Sequence, residues 1–455
     1  MTRTAEHITD FSFESVLFQS DRQFETVDLR NSVTDLDIFE HVNKPYLTAT
    51  LALQDSLNFV AGADILGAET ITITLKSNRK NTSPITKRFY IDSIVRNARQ
   101  NDNVQFVVLH LIEDVAYISN LKNISRSYSG KCTDIISKIS RGYLNKEVFS
   151  TDNDRQSIKL IIPNLNPLEA MQWITNRAST VNGYPFYLLS PFVGEKLKFL
   201  DLGSMLTQNS LNEDLPYRYY QGAAQSPNRD IQRRTILEYQ QNETEDLFTL
   251  IQKGLVGSKY SYLNTVKNTK SEFHFDVTKN LLQPLVQRGI VPSSQPNVMY
   301  SPDYVLDEKS FNLLDSRVIT QIGGTSAFEN LFSYSESDLI SDYKLNIISR
   351  AMHHFLQKVP LQVDLNGIDF IDGDVNAGAG NIINLEFLKS DPEEKIEVFD
   401  TKMTGEYLIL ATQYMFKRES CKVRLQCAKL GNRRNSLGLV RLRRSACLMR
   451  RIKLL

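Results

Sequence analysis

Apolar and polar residues alternate along Tyr46–Leu53 and Thr70–Leu75, the two-residue rhythm of sheet strands with one wet face. Arg88–Val95 and Val104–Ile112 bracket the polar, Asn-rich stretch Asn97–Asn103, which predicts a hairpin. Val104–Ile112 is apolar nearly throughout, so both of its faces are expected to be covered. Residues 1–125 therefore read as a mostly β domain.

The period then changes. Thr133–Leu144 places Ile135, Ile136 and Ile139 on one helical stripe. A second helix has a clear start at Asn166-Pro167-Leu168-Glu169, where Asn caps, Pro suits the first helical position and Glu reaches back. Leu168, Met171, Ile174 and Ala178 continue it at helical spacing. Tyr184–Ser190 and Lys196–Leu202 flank Val193-Gly194 as a hairpin. This makes 126–215 an α/β domain.

Residues 216–280 return to β signals, with strands expected at Asp230–Glu238, Leu247–Ile251, Tyr260–Val266 and Glu272–Val277. Pro284, Pro292, Pro296 and Pro302 break any period, so 281–344 is expected to be an irregular insertion with few strands. Leu345, Ile348, Met352 and Phe355 form an amphipathic helix that ends before Pro360. Strands follow at Leu361–Leu365, Ile382–Phe387 and Gly405–Phe416. The expected second β domain is 216–280 plus 345–429, leaving 430–455 as a tail.

Composition narrows the class. A chain of 455 residues exceeds one ordinary core, and 41% apolar with 23% charged residues is globular. No apolar run reaches the roughly 18 residues of a membrane span. Met1–Asp10 lacks the apolar segment of a secretory signal, so cytoplasmic synthesis is expected. Cys132, Cys421, Cys427 and Cys447 are too few for a disulfide framework and lack zinc-knuckle spacing; reduced structural thiols are expected.

The net charge of +1 hides an asymmetry. Residues 417–455 hold 13 of the 53 basic residues and one of the 52 acids, leaving 40 basic and 51 acidic groups before them. An acidic body thus carries a basic tail. Within Arg433–Lys453, arginines recur between Leu and Val residues. Three readings stand for it: a solvated terminus, a docking segment for an acidic surface, or a contact with DNA phosphates. The last lacks any aromatic stacking residue in 433–455.

Candidate chemistry is thin. Asp372-Gly-Asp374-Val-Asn376 opens like a calcium-binding loop, but Ala377 stands at the sharp-turn glycine position and Ile383 at the bidentate one. An inter-strand loop is expected instead. His353 and His354 point about 100° apart on a helix, so they do not converge on one metal; one half-buried and one exposed imidazole are expected. Trp173, the only tryptophan, is expected to pack. No nucleophile–base arrangement, zinc motif or phosphate cradle is visible, and no glycosidase pair can be singled out among 52 acids. No catalytic, cofactor-binding or metal-binding residue is assigned.

Several segments nevertheless resemble one known family. They are Lys44-Pro45-Tyr46 through Gln54-Asp55-Ser56-Leu57-Asn58, then Leu66-Gly67-Ala68-Glu69 with the strand Thr70–Leu75, then Val104–Leu111. Ile124-Ser-Arg-Ser-Tyr128-Ser-Gly130 follows, leading into Asp134–Ile139, and Gly405–Arg418 closes the set. Together these resemble the central baseplate hub subunit of contractile-tail bacteriophages, related to the hub part of type VI secretion spikes. The likeness covers roughly 25–429. In that family a His often stands where this chain has Gln413.

The resemblance implies an α+β, β-rich protein with two tail-tube-like antiparallel β-barrel or sandwich modules, an α/β domain and an irregular insertion. It implies a structural virion protein: a homotrimer in the tail baseplate, assembled in the host cytoplasm, joining the six-fold tail tube to the three-fold central spike. Expected partners are the tail tube protein, central spike protein, baseplate wedge proteins and tape-measure protein, with DNA passing through the channel without specific binding. The acidic balance of 1–416 adds the expectation of a channel wall that repels phosphate. The rival readings are a baseplate-associated cell-wall hydrolase and a DNA-binding structural tail protein.

Overall fold

The computed structural model describes residues 10–429 apart from 21, 23–25, 56–62, 64, 80–81, 102–103, 152–156, 213–214, 220–232, 242–246, 265–267, 289–304, 307, 311–312, 324–335, 357–359, 389–399, 401–402 and 418–419. The basic tail therefore lies outside the described residues, as does Cys447.

One sheet of 13 strands organises the protein. Its first group comprises β1 (Phe11–Gln19), β2 (Val27–Asp28), β3 (Val33–His41), β4 (Thr48–Asp55), β5 (Thr70–Ser77), β6 (Ile85–Asn101) and β7 (Val104–Glu113). Its second comprises β8 (Tyr217–Tyr219), β9 (Glu238–Gln241), β10 (Leu361–Asn366), β11 (Ile382–Phe387), β12 (Gly405–Lys417) and β13 (Ser420–Ala428). The spatial order is β9-β10-β13-β12-β3-β4-β7-β6-β5-β1-β2, with β11 on β12 and β8 on β11. The two groups meet where β12 pairs antiparallel with β3, from Ala411 opposite His41 to Lys417 opposite Asp35. The fold is β-rich with both helices and strands, as expected, but the path is open among the described residues. Of the expected barrel or sandwich modules, no closed barrel forms among the described residues.

Alternation explains the sheet's two faces. Along β3, Leu36, Ile38 and Glu40 point inward while Asp35, Asp37, Phe39 and His41 point outward. Along β12, Thr412, Tyr414 and Phe416 are buried, and Ala411, Gln413, Met415 and Lys417 face out. Buried aliphatics of both groups, from Leu36 and Ile38 to Val423 and Leu425, share one core. Phe416 sits 4.9 Å from the ring of Phe11 and 6.4 Å from that of Phe13. The β6–β7 hairpin is tighter than its Asn-rich stretch implied, because β6 runs to Asn101 through three register shifts. Each bulge lets a polar-rich strand stay paired while it bends.

A second layer carries α1 (Asp114–Asn120), α2 (Cys132–Ile139) and α3 (Pro167–Thr175). The predicted cap is realised: Asn166 Oδ1 accepts a hydrogen bond from the Glu169 N–H at 2.9 Å. Ile135, Ile136, Ile139, Met171 and Ile174 fill the core of this layer. Strands Phe186–Leu189 and Leu197–Asp201 pair antiparallel beneath it, as the flanked Val193-Gly194 predicted.

Leu247–Ile251 departs from expectation. It forms α4 (Leu247–Gln252), with Leu250 buried, because Leu247, Leu250 and Ile251 recur at helical rather than strand spacing. The strand expected at Asp230–Glu238 begins only at Glu238, and residues 230–232 lie outside the described residues. Strand Val318–Gly323, from the expected insertion, pairs parallel with Gly257–Asn264. Helix α5 (Glu336–Leu356) buries Ala351, Met352 and Phe355 against a third core with Leu250, Phe275 and Leu281.

Candidate assembly surface and its buried junction

One motif that carried the resemblance, Gly67-Ala68-Glu69, is a structural device. Glu69 is buried beside a left-handed Gly67 at φ +96°. Its Oε2 accepts from the N–H groups of Gly67 at 2.8 Å and Ala68 at 3.1 Å, while Arg22 bonds Oε1 at 2.8 Å. Burial opposes the charge, yet these donors and the Arg22 guanidinium hold the carboxyl below its usual range. Gly-x-Glu is thus a turn that starts β5.

The acid-rich loop at 372–380 is also accounted for by packing. Asp372 Oδ1 accepts from the Asp374 N–H at 3.0 Å, and Asn376 Oδ1 from the Gly378 N–H at 3.1 Å, so both are turn-forming contacts. Asp374 Oδ2 takes the N–H of Ser83 at 3.3 Å. Asn381 Nδ2 donates to the carbonyls of Asn376 and Gly378. The oxygens that mimic a calcium loop are aimed at backbone amides.

His353 and His354 are both partly buried rather than split between buried and exposed. His353 Nδ1 lies 3.0 Å from the Tyr187 hydroxyl, and burial, with His354 beside it, pushes its pKa down to about 4. It lines a cleft of about 630 Å³ with Thr175, Arg177, Phe186, Ile347 and Arg350. Trp173 packs at the edge of the α/β core under the Arg177 guanidinium, 3.8 Å from its ring. Cys132, Cys421 and Cys427 are buried and form no disulfide with one another. Burial pushes the thiols of Cys421 and Cys427 well up, so they stay protonated and inert.

Sequence reading missed the junction behind the β3·β12 seam. Glu40, 1% exposed, sits on the inner face of β3 in phase with Leu36 and Ile38. Its Oε2 accepts from the Tyr414 hydroxyl of β12 at 2.8 Å. Its Oε1 is buried without a hydrogen-bond partner among the described residues. Gly378 closes over the pair: a methyl group there would collide with Glu40 Oε2 and stand 2.6 Å from the Tyr414 hydroxyl oxygen. From the α/β layer, the Phe192 ring lies 4.3 Å from that of Tyr414. Lys87 Nζ clamps the same loop by donating to the carbonyls of Pro191 at 2.9 Å and Gly194 at 2.7 Å. Burial drives the Glu40 pKa up to about 7, opposed by Tyr414, Lys198, Lys87 and the Phe192 backbone N–H. The available signal was an acid in the apolar phase of a strand.

The outward face of the sheet is wet and nearly charge-balanced. Asp35 pairs across the strands with Lys417 at 3.7 Å, and Asp364 forms a two-point ion pair with Arg424 at 2.8 Å. Gln362, Gln413, Gln426, Thr48 and Thr50 lie between. The two sheet ends differ. Beyond β1, Asp28 takes the Val16 N–H at 3.1 Å and Arg30 donates to the Glu14 carbonyl at 3.0 Å, blunting that edge. At the other end β9 is exposed along its length, with Leu237 and Tyr239 partly bare.

No protein-family model matches the chain, and no curated protein does. Among solved structures, a tail protein from Neisseria meningitidis MC58 superposes with a TM-score of 0.50 at 11% identity, over 92% of this chain and 97% of that one. The 43 kDa tail protein of prophage MuSo2 from Shewanella oneidensis gives 0.50 at 10% identity, over 92% and 99%. This chain has the fold of those tail proteins. The phage-tail resemblance read from the sequence is therefore matched by the fold along nearly the whole chain. A PdpA–VgrG complex gives 0.46 at 10% identity over 93% of this chain and 65% of that one.

Proposed function

We propose that this chain is a structural tail protein, the trimeric baseplate hub that joins a six-fold tail tube to a three-fold central spike. The observation that carries this reading is the β3·β12 seam. It lets one chain present two groups of strands as one continuous sheet. Three such chains around an axis offer six strand groups to the tube and three copies of everything else to the spike. The fold shared with two tail proteins over nearly their full length supports it.

The mechanism in this reading is mechanical. The wet face of the sheet lines the channel for tape-measure protein and DNA. Among the described residues, its Lys417–Asp35 and Arg424–Asp364 pairs and its amides give a passing polyanion little to grip, and the acidic balance of 1–416 keeps the surrounding potential unfavourable to phosphate. The tube and spike proteins contact the two rims, and wedge proteins the outside. No enzymatic role is part of the reading.

Light scattering across a range of protein concentrations, followed by particle imaging, tests it. A three-subunit ring with a central hole is the expected result. A chain that stays monomeric at every concentration, also when co-expressed with the adjacent tube and spike proteins, would sink the hub reading.

A further inference from the structure

We propose that Glu40 is a proton-operated latch, whose protonation sets how tightly the 190–194 loop of the α/β layer is held against the seam between the two halves of the sheet. The proposal stands on geometry independent of the hub reading. Three parts of the fold meet at this carboxyl and its partner: β3 carries Glu40, β12 supplies the Tyr414 hydroxyl, and the 190–194 loop lays the Phe192 ring 4.3 Å from that of Tyr414. Gly378 seals the fourth side.

Two lysines face the site, Lys87 from β6 and Lys198 from the strand Leu197–Asp201. Lys87 is spent on the loop carbonyls. Neither forms an ion pair with Glu40 among the described contacts, so an ionised Glu40 holds a buried charge with one oxygen unpartnered. The aspartates nearest along the sealing loop, Asp372 and Asp374, are bonded to amides away from it. Proton loss therefore raises the free energy of the closed junction, and water reaching Oε1 relieves it. The loop is the part that yields, because side-chain contacts and one backbone bond, from the Ser190 N–H to the Lys44 carbonyl at 3.4 Å, hold it, whereas β3 and β12 are held by ladder hydrogen bonds.

The test is hydrogen exchange of the full chain at pH 6 and pH 8.5, expressed as protection factors so that the intrinsic pH effect cancels. The amides of Ser190, Phe192, Val193 and Gly194 should lose about tenfold in protection at the higher pH, from proton linkage at one group. Glu40→Gln should flatten that change. Should Glu40→Gln fail to fold, Tyr414→Phe gives the same answer, because removing the donor that favours the ionised form should move the midpoint of the loss upward in pH. Equal protection at both values in the wild type, an undiminished loss in Glu40→Gln, or an unmoved midpoint in Tyr414→Phe would overturn the latch.

Discussion

The two faces of β12 show how differently one strand can be constrained. Inward, Tyr414 and Phe416 meet Glu40, Phe192, Phe11 and a glycine with no room for a side chain. Outward, Gln413, Met415 and Lys417 face water beside Arg424 and Asp35. The backbone ladder is common to both. What differs is whether a neighbour can move aside. Inside it cannot, so each residue selects one structure; outside it can, so substitutions there are tolerated by the fold.

That contrast is sharpest for truncation. Phe416→Ala removes a ring enclosed by Phe11, Phe13 and Phe192 and should cost ~3–5 kcal/mol in denaturant unfolding. A loss below about 1 kcal/mol would mean the inner face is not the determinant we describe.

Next comes the pH response of the buried acid. Glu40 binds its proton more tightly in the folded chain, near pH 7, than at its ordinary value of 4.5. Its contribution is full below pH 4.5 and is lost as pH rises through 7, amounting to up to ~3 kcal/mol. Glu40→Gln should be relatively more stable than wild type above pH 7, and parallel pH–stability curves for the two proteins would contradict this. His353 has the opposite sign: its pKa is lowered from 6.5 to about 4, so its contribution is present above pH 6.5 and lost as pH falls through 4. His353→Gln should flatten the acid limb only.

Gly378→Ala should cost ~1–3 kcal/mol by overpacking against Glu40 and Tyr414, read as a lowered melting temperature. The outer face should respond least. Arg424→Ala breaks a two-point but partly exposed ion pair with Asp364, and should change stability by less than ~1 kcal/mol, less still at high salt. A larger, salt-independent loss would show that the outer face also holds the fold.

Legibility followed the same division. Strands β5, β7 and β12 were readable because alternation or apolar runs persist over many residues, and the Asn166 cap because its partner is three residues away. Helix α4 was misread because it spans barely two turns, too short for period two and period 3.6 to separate. The strands β1 and β3 were not singled out, although both are central to the core: acids interrupt β3, and the aromatics of β1 find their partners some 400 residues away in Phe416.

The sequence by itself determined the β-rich class, the α/β layer, the acidic body and the absence of any motif with catalytic spacing, because each depends on local period or on counts. Only the tertiary structure decided that both strand groups form one open sheet, that the calcium-like loop is a seal, and that Glu40 lies buried at their junction. Those facts depend on which surfaces meet across hundreds of residues. Chain separation leaves no imprint on local pattern except, in hindsight, one acid in the phase of Leu36 and Ile38.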